Sequence, residues 1–444
     1  MWPSAATSCA ASWPARSRAR PPPTALPQVG DCRLAASLLQ LPQTAHRSRG
    51  RNVRGWLGIG GLALVLLLLL LIPAAPVAGQ SFRYRVYLPL VLGRPPEDAR
   101  WVRPGLARFG YGVNLADLGN IDHIRALGFG YVKAYLSWAQ SEPQPGRYQW
   151  LTSPTQNDAK NLADAAERAG LRLLIRVDTP PAWAAPGSGN RPPTNPDDFG
   201  RFMGALAAYL RGRVLGYELW NEPNLSVEWG GQPPSPEGYA ALLRAAYPRI
   251  KAADPQALVV TAGLASTGGD GGLTAMDDVE FLRRLYQAGA QPFFDVLGSH
   301  PYGFADPPDR RNPNQVTDFQ RAADQRAVMV AFGDTQKPIW ATEFGWLLSP
   351  AIEGHPEYVN DPLWSGRQWQ IVTPEQQAQY LVAAYQYAYQ NWPWMGLLFV
   401  FNLDYSTVPW YPPPEPMRFY SLLNADRTPR PAYLALRQMP KPLR

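Results

Sequence analysis

Short apolar runs alternate with amphipathic stretches along the chain from about residue 105 onward. The runs are rich in β-branched and aromatic residues, which is typical of buried strands. The eight predicted strands are 107–114, 131–138, 172–178, 215–221, 257–263, 294–300, 338–343 and 396–402. The period of an amphipathic helix appears between them over residues 157–169, 236–253, 277–289 and 374–391.

Eight strands that alternate with helices over residues 105–440 predict a single (β/α)8 TIM barrel. Capping signals agree, because Ser235 and Thr373 each precede a first-turn proline and Gly128 and Gly170 each follow a helical pattern. The alternative is a doubly wound open sheet. That fold usually carries a glycine-rich phosphate turn, and no predicted strand is followed by G-x-G-x-x-G.

The first 104 residues follow a different pattern. Residues 56–79 contain an apolar run and a small-residue end, with arginines before them, which predicts a signal peptide cleaved after Gly79. The alternative is an uncleaved membrane tether through residues 56–72, which is shorter than the ~20 residues of a comfortable span. Either alternative predicts a secreted or extracytoplasmic protein, and residues 80–104 then form a spacer.

Residues 1–55 are a basic leader without a periodic apolar face. They are either a disordered tail or the result of a gene start placed too early, with Val53 as the alternative first residue. The mass of the intact protein from its native host distinguishes the two, because a chain that retains residues 1–52 excludes the second.

The net charge of +7 comes from this leader. Residues 1–55 hold eight arginines and one acid, Asp31, so residues 56–444 balance 34 basic with 34 acidic residues. A neutral body has no basic face for nucleic acid. Both cysteines lie in the leader, and the four histidines lack metal-ligand spacing, so we expect neither a metal site nor a cofactor.

Two glutamates lie at matching places in the predicted barrel. Strand four ends in W-N-E-P-N at 220–224 and strand seven in W-A-T-E-F-G-W at 340–346. Strands three steps apart in a ring of eight face each other, so Glu222 and Glu343 should meet across the mouth, where TIM barrels place their chemistry. A facing pair of carboxylates is what glycoside hydrolysis uses.

The chain resembles the clan A glycoside hydrolases, retaining (β/α)8 enzymes that include families 5 and 39. The resemblance rests on the two strand-end motifs and on three further segments in the expected order, W-A-Q-S-E-P-Q-P-G-R-Y-Q-W at 138–150, T-P-P-A-W-A at 179–184 and S-H-P-Y at 299–302. It implies hydrolysis of a β-linked polysaccharide or oligosaccharide with retention of configuration.

The resemblance also implies roles for individual residues. Glu222 would be the general acid/base and Glu343 the nucleophile. Asn221 would hydrogen-bond the sugar 2-hydroxyl, Tyr302 would donate its hydroxyl to Glu343, and His300 would orient the substrate or the acid/base.

Strand two departs from the clan pattern, because Lys133 stands where an arginine is usual. Lysine supplies a charge near Glu343 without the bidentate geometry of a guanidinium. Glu218 shares strand parity with Glu222 and is predicted to be a buried structural partner of Lys133 or Arg176.

Strand eight lacks the tryptophan that usually serves the clan as a sugar platform. Asn402, Phe401 or Trp410 would take its place, and Trp138 and Trp346 are further candidates for substrate contacts. We expect a monomer that binds carbohydrate. The alternative function is a non-catalytic carbohydrate-binding barrel that has kept the fold.

Overall fold

The computed structural model describes residues 108–153, 157–187, 189–311 and 316–443. The predictions for the leader, for residues 56–79 and for the spacer lie outside these residues. Within the described ranges, no helix has both the length and the apolar character that a membrane crossing requires.

Eight parallel strands of the described chain form the predicted barrel. They are β1 (Gly110–Leu115), β2 (Tyr131–Ser137), β3 (Arg172–Asp178), β4 (Gly216–Leu219), β5 (Leu258–Thr261), β6 (Leu297–His300), β7 (Ile339–Phe344) and β8 (Met395–Val400). They pair in the order β5-β4-β3-β2-β1-β8-β7-β6. A parallel bridge from Val260 to Val296 and the short strand Leu264–Ala265, which pairs with β6, close the ring.

A helix follows each strand within the described residues. These helices are α1 (Ile121–Ala126), α2 (Ala159–Ala169), α3 (Pro196–Tyr209), α4 (Pro236–Ala253), α5 (Asp278–Gln287), α6 (Arg321–Ala331), α7 (Pro374–Asn391) and α8 (Pro431–Gln438). The predicted caps are confirmed, because the Ser235 side chain accepts from Gly238 N and Thr373 forms a capping box with Gln376.

The inward face of the barrel changes from apolar to charged along the strands. Leu174, Val260, Val296 and Trp340 belong to a buried apolar cluster inside the ring. Two residues beyond Leu174 on β3 lies Arg176, which has the same strand parity and therefore the same facing. The apolar cluster fills the lower part of the barrel, and polar side chains occupy the carboxyl ends of the strands.

Candidate active site

Glu222 is presented by a sharp turn at the end of β4. The backbone is left-handed at Trp220 (φ 82°) and at Glu222 (φ 36°), conformations that cost about 1–3 kcal/mol each for residues with a side chain. Buried contacts hold the turn, because the Trp220 indole donates to Glu228 O at 2.8 Å and Asn224 Nδ2 donates to Ala265 O at 2.9 Å. The turn is therefore a fixed feature of the barrel mouth.

Glu343 lies at the end of β7 and is surrounded by donors. Lys133 Nζ lies 3.1 Å from its Oε1, and the Tyr302 hydroxyl donates to its Oε2 at 2.9 Å. Arg176 Nη1 lies 3.4 Å from Oε1. The predicted contacts of Tyr302 and Lys133 with Glu343 are confirmed. Cations and donors around a buried carboxylate favour its ionised form.

Glu218 is the structural partner of Lys133, as predicted. Its Oε2 lies 2.7 Å from Lys133 Nζ, and both side chains are buried. Burial alone would raise the pKa of Glu218, but Lys133 and His300 lower that pKa to about 2. Lys133 is therefore shared between two buried carboxylates, Glu218 and Glu343.

His300 joins the acidic side chains of β4 and β7. Its Nδ1 lies 2.8 Å from Glu222 Oε1 and 3.8 Å from Glu343 Oε2. Burial alone would lower the pKa of His300, but the carboxylates of Glu343, Glu218 and Glu222 raise it to about 9. His300 is thus a cation at neutral pH and lies against the predicted acid/base.

Gly263 lies between the side chains of Glu218 and His300 and the backbone of Glu222. Gly263 N donates to Glu218 Oε1 at 3.1 Å, and Gly263 O accepts from Glu222 N at 3.2 Å. A Cβ at this position would lie 2.1 Å from the His300 ring. Only the absence of a side chain lets the imidazole lie against the backbone here.

The sequence profile described as Cellulase (glycosyl hydrolase family 5) matches residues 110–355, more than half of the chain and including both glutamates. The chain belongs to glycosyl hydrolase family 5. It is a glycoside hydrolase of clan A with the (β/α)8 fold.

Solved structures with the same fold include members of glycoside hydrolase families 39 and 5. A family 39 glycoside hydrolase from Bacteroides cellulosilyticus has a TM-score of 0.54 and 20% identity, over 74% of this chain and 63% of that one. This chain thus spans less than two thirds of the length of this family 39 relative.

Two further structures are similar. GH5_18 from Streptomyces cattleya, solved with GlcNAc, has a TM-score of 0.52 and 20% identity, over 74% of this chain and 79% of that one. A GH39 β-xylosidase from Caulobacter crescentus has a TM-score of 0.51 and 18% identity, over 74% and 70% of the two chains. No curated protein sequence matches the chain.

Three ligand-type side chains meet in this family 5 hydrolase. One atom each of Glu222, His300 and Glu343 lie within 4.8 Å of one another. A divalent cation there would meet the charges of Lys133 and Arg176, and a protonated His300 offers it no lone pair. The arrangement is suited to holding protons and a developing positive charge on a sugar.

Arg176 is a site residue that sequence reasoning did not assign. Its Nη1 lies 3.0 Å from Asn221 Oδ1 as well as close to Glu343, and its Nε lies 3.0 Å from Asp178 Oδ2. Arg176 therefore brings a guanidinium to Glu343 from β3, where the usual arginine of β2 is replaced by Lys133. The available signal was its strand parity, which it shares with Asp178 at the end of β3.

The structure corrects the predicted substrate contacts of Trp138, Trp346 and Asn402. Trp138 is buried against Phe202, with its indole donating to Glu142 Oε2 at 2.7 Å. Trp346 is buried, and its indole donates to Asp306 O at 2.8 Å. These rings form part of the packed wall of the barrel rather than platforms facing a sugar.

Asn402 is also a structural residue. Its Nδ2 donates to Met417 O at 3.0 Å, and its Oδ1 accepts from Tyr405 N and from the Ser421 hydroxyl. Both ends of the amide are therefore used to fix the segment after β8, which gives Asn402 a structural role.

We expect the contribution of His300 to folding stability to depend on pH. Because its folded-state pKa of about 9 exceeds the ordinary 6.5, the contribution is fully present below pH 6.5 and is lost as the pH rises through 9. Urea unfolding of wild type and His300→Asn should thus give a larger difference in the free energy of unfolding at pH 6 than at pH 10. An equal difference at both pH values would show that the imidazole is not charged in the folded protein.

Proposed function

We propose that this family 5 enzyme hydrolyses β-linked polysaccharides or oligosaccharides with retention of configuration. Glu222 acts as the acid/base and Glu343 as the nucleophile. The observation that carries the proposal is the opposition of the two side chains, because one carboxylate oxygen of each lies within 4.8 Å of the other. Retaining enzymes hold their carboxyl groups about 5–5.5 Å apart, whereas inverting enzymes leave about 6.5–9.5 Å for a water.

The surroundings of the two glutamates support this division of roles. The Glu343 carboxylate accepts hydrogen bonds from Lys133, Arg176 and the Tyr302 hydroxyl. These donors favour its ionised form, which is able to attack the anomeric carbon. His300 Nδ1 lies 2.8 Å from Glu222 Oε1 and fixes the position of this carboxyl group, which must carry a proton to act as the acid. As the bond to the anomeric carbon breaks, this proton passes from Glu222 to the leaving oxygen.

The second step uses the same groups in reverse. Glu222, now a carboxylate, takes a proton from water, and the resulting hydroxide displaces Glu343 from the sugar. Overall, one water molecule is consumed and one glycosidic bond is cleaved. The two successive inversions restore the original configuration at the anomeric carbon.

Asn221 is placed to hold the sugar during both steps. It is buried, its Oδ1 accepts from Arg176, and its Nδ2 has no hydrogen-bond partner among the described residues. A buried amide donor without a partner is unfavourable unless a ligand uses it. This supports a hydrogen bond from Nδ2 to the sugar 2-hydroxyl.

Secretion agrees with this substrate class, because an enzyme that hydrolyses polysaccharides encounters its substrate outside the cell. The predicted signal peptide at residues 56–79, or a tether through 56–72, would place the barrel there. The monomeric state also stays a prediction.

The test is a panel of aryl β-glycosides and β-linked polysaccharides, with the anomer of the first product followed by NMR. We expect hydrolysis of at least one β-linked substrate with the β-anomer formed first. Initial appearance of the α-anomer would refute retention. Binding without hydrolysis across the whole panel would favour the non-catalytic carbohydrate-binding barrel.

A further inference from the structure

Trp369 is an exposed indole on the segment between β7 and α7. Among the described tryptophans only Trp369 and Trp410 are more than half exposed, at 53% and 59%. The ring of Trp369 stacks on Phe304 with centroids 5.5 Å apart and planes at 11°. One face of the indole is thus covered by the protein, and its exposure must come from the rest of the ring.

Phe304 connects this indole to the catalytic centre. It follows β6 two residues after Tyr302, with the two ring centroids 6.5 Å apart, and Tyr302 contacts Glu343. The backbone of Phe304 is left-handed, with φ of 53°, a strained conformation for an aromatic residue that is more common at functional sites than elsewhere. Strand ends β6 and β7 share one edge of the barrel, so Trp369 lies on the catalytic side.

The segment that carries Trp369 is anchored on both sides of it. The Trp364 indole is buried and donates to Pro414 O at 2.7 Å, and Gln368 Nε2 donates to Val359 O at 3.0 Å. Gln370, the next residue, is buried. The exposed ring is therefore held in place, which lowers the entropy lost when a ligand stacks on it.

The usual platform of the clan is missing, which leaves this role open. Phe401, at the end of β8, is only 3% exposed, and Asn402 uses both ends of its amide within the protein. Trp138 and Trp346 are buried. Trp410 is exposed but has no stacked ring behind it among the described aromatic contacts.

We propose that Trp369 is a stacking platform for a sugar ring at a subsite distant from the scissile bond. Two successive ring contacts, with centroids 5.5 and 6.5 Å apart, lead from Trp369 through Phe304 to Tyr302, so we place this subsite one or more sugar units from the scissile bond. The flat apolar face of a β-linked pyranose matches an indole backed by Phe304. The inference rests on the proposed function and extends it, because it assigns the enzyme a preference for longer chains.

The test compares substrates of increasing length. The probes are β-1,4-linked gluco-, xylo- and manno-oligosaccharides of two to six units, together with the aryl β-glycoside of the same sugar. Trp369→Ala should lower kcat/KM for the longest substrate about three- to tenfold, the effect of one lost ring-stacking contact. It should leave kcat/KM for the aryl glycoside within about twofold, and Trp369→Phe should restore most of the loss.

Tyr209→Ala is the matched control. Tyr209 is also exposed and stacks on Trp150 at 5.2 Å and 17°, but it ends α3, which runs back from the catalytic edge of the barrel. The control should leave the chain-length profile unchanged. An equal loss on long and short substrates would mean that Trp369 only supports Tyr302 through Phe304, and no loss on long substrates would likewise overturn the proposal.

A binding measurement separates this proposal from the proposed catalysis. Titration calorimetry with the six-unit oligosaccharides on Glu343→Ala, with and without Trp369→Ala, should show a three- to tenfold weaker Kd for the double variant. If wild type hydrolyses nothing but this difference appears, the platform stands and the proposed catalysis falls. If wild type hydrolyses the substrates and neither kcat/KM nor Kd changes, the platform falls alone.

Discussion

Glu343→Ala should lower kcat by about 10⁴-fold or more on every substrate, because no glycosyl-enzyme can form without its carboxylate. Glu222→Ala should be milder on an activated aryl β-glycoside, whose leaving group needs little protonation. That variant should still release the sugar slowly, since the attacking water has lost its base. Steady-state kinetics and burst-phase kinetics on the two variants measure these losses.

Azide separates the roles of the two residues further. Added to Glu222→Ala, it needs no base, so it should restore turnover and give the β-glycosyl azide. Added to Glu343→Ala, it enters in place of the nucleophile and should give the α-anomer. The assignment is wrong if both variants give the same anomer, or if neither variant loses activity.

Lys133→Met should reduce the free energy of unfolding by about 3–5 kcal/mol, the usual effect of breaking a buried ion pair. The variant leaves Glu218 and Glu343 buried without the ammonium that lies 2.7 and 3.1 Å from their oxygens. It should also lower kcat/KM by at least tenfold, because the nucleophile loses a charged donor. Chemical denaturation and initial rates provide the two measurements.

Two further variants interpret that result. Lys160→Met removes an exposed ion pair with Asp164 and should change stability by less than about 1 kcal/mol. Lys133→Met combined with Glu218→Gln removes a buried charge of each sign and should recover most of the stability without recovering activity. If Lys133→Met were as stable as Lys160→Met, the buried network would not hold the site together.

The sequence was most informative where a residue's position on a strand decides its neighbours. The alternation of strands and helices predicted the barrel, and the tips of β4 and β7 brought Glu222 and Glu343 together. The parity of Glu218 likewise predicted its burial beside Lys133. Such inferences succeed because the side-chain period of a strand and the symmetry of a closed ring leave few alternatives.

The aromatic and long side chains were less predictable. Trp138 and Trp346 follow strand ends, where an indole can turn toward a substrate or into the packed wall. The local sequence does not distinguish these two orientations. The contact of Arg176 with Glu343 was not predicted. Strand parity shows which face of the sheet a residue lies on, but it does not give the position of the guanidinium at the end of a long, flexible side chain. Trp369 lies among short turns, which carry no periodic pattern from which its exposure could be inferred.

Gly263 limits how this enzyme can be redesigned. Its two backbone groups hold Glu218 and Glu222, and its bare α-carbon makes room for the His300 ring. Even alanine there would displace the imidazole that lies against the acid/base. Libraries that seek new substrate specificity can therefore vary the rim around Trp369 but should keep glycine at position 263, where a Cβ would lie 2.1 Å from the His300 ring.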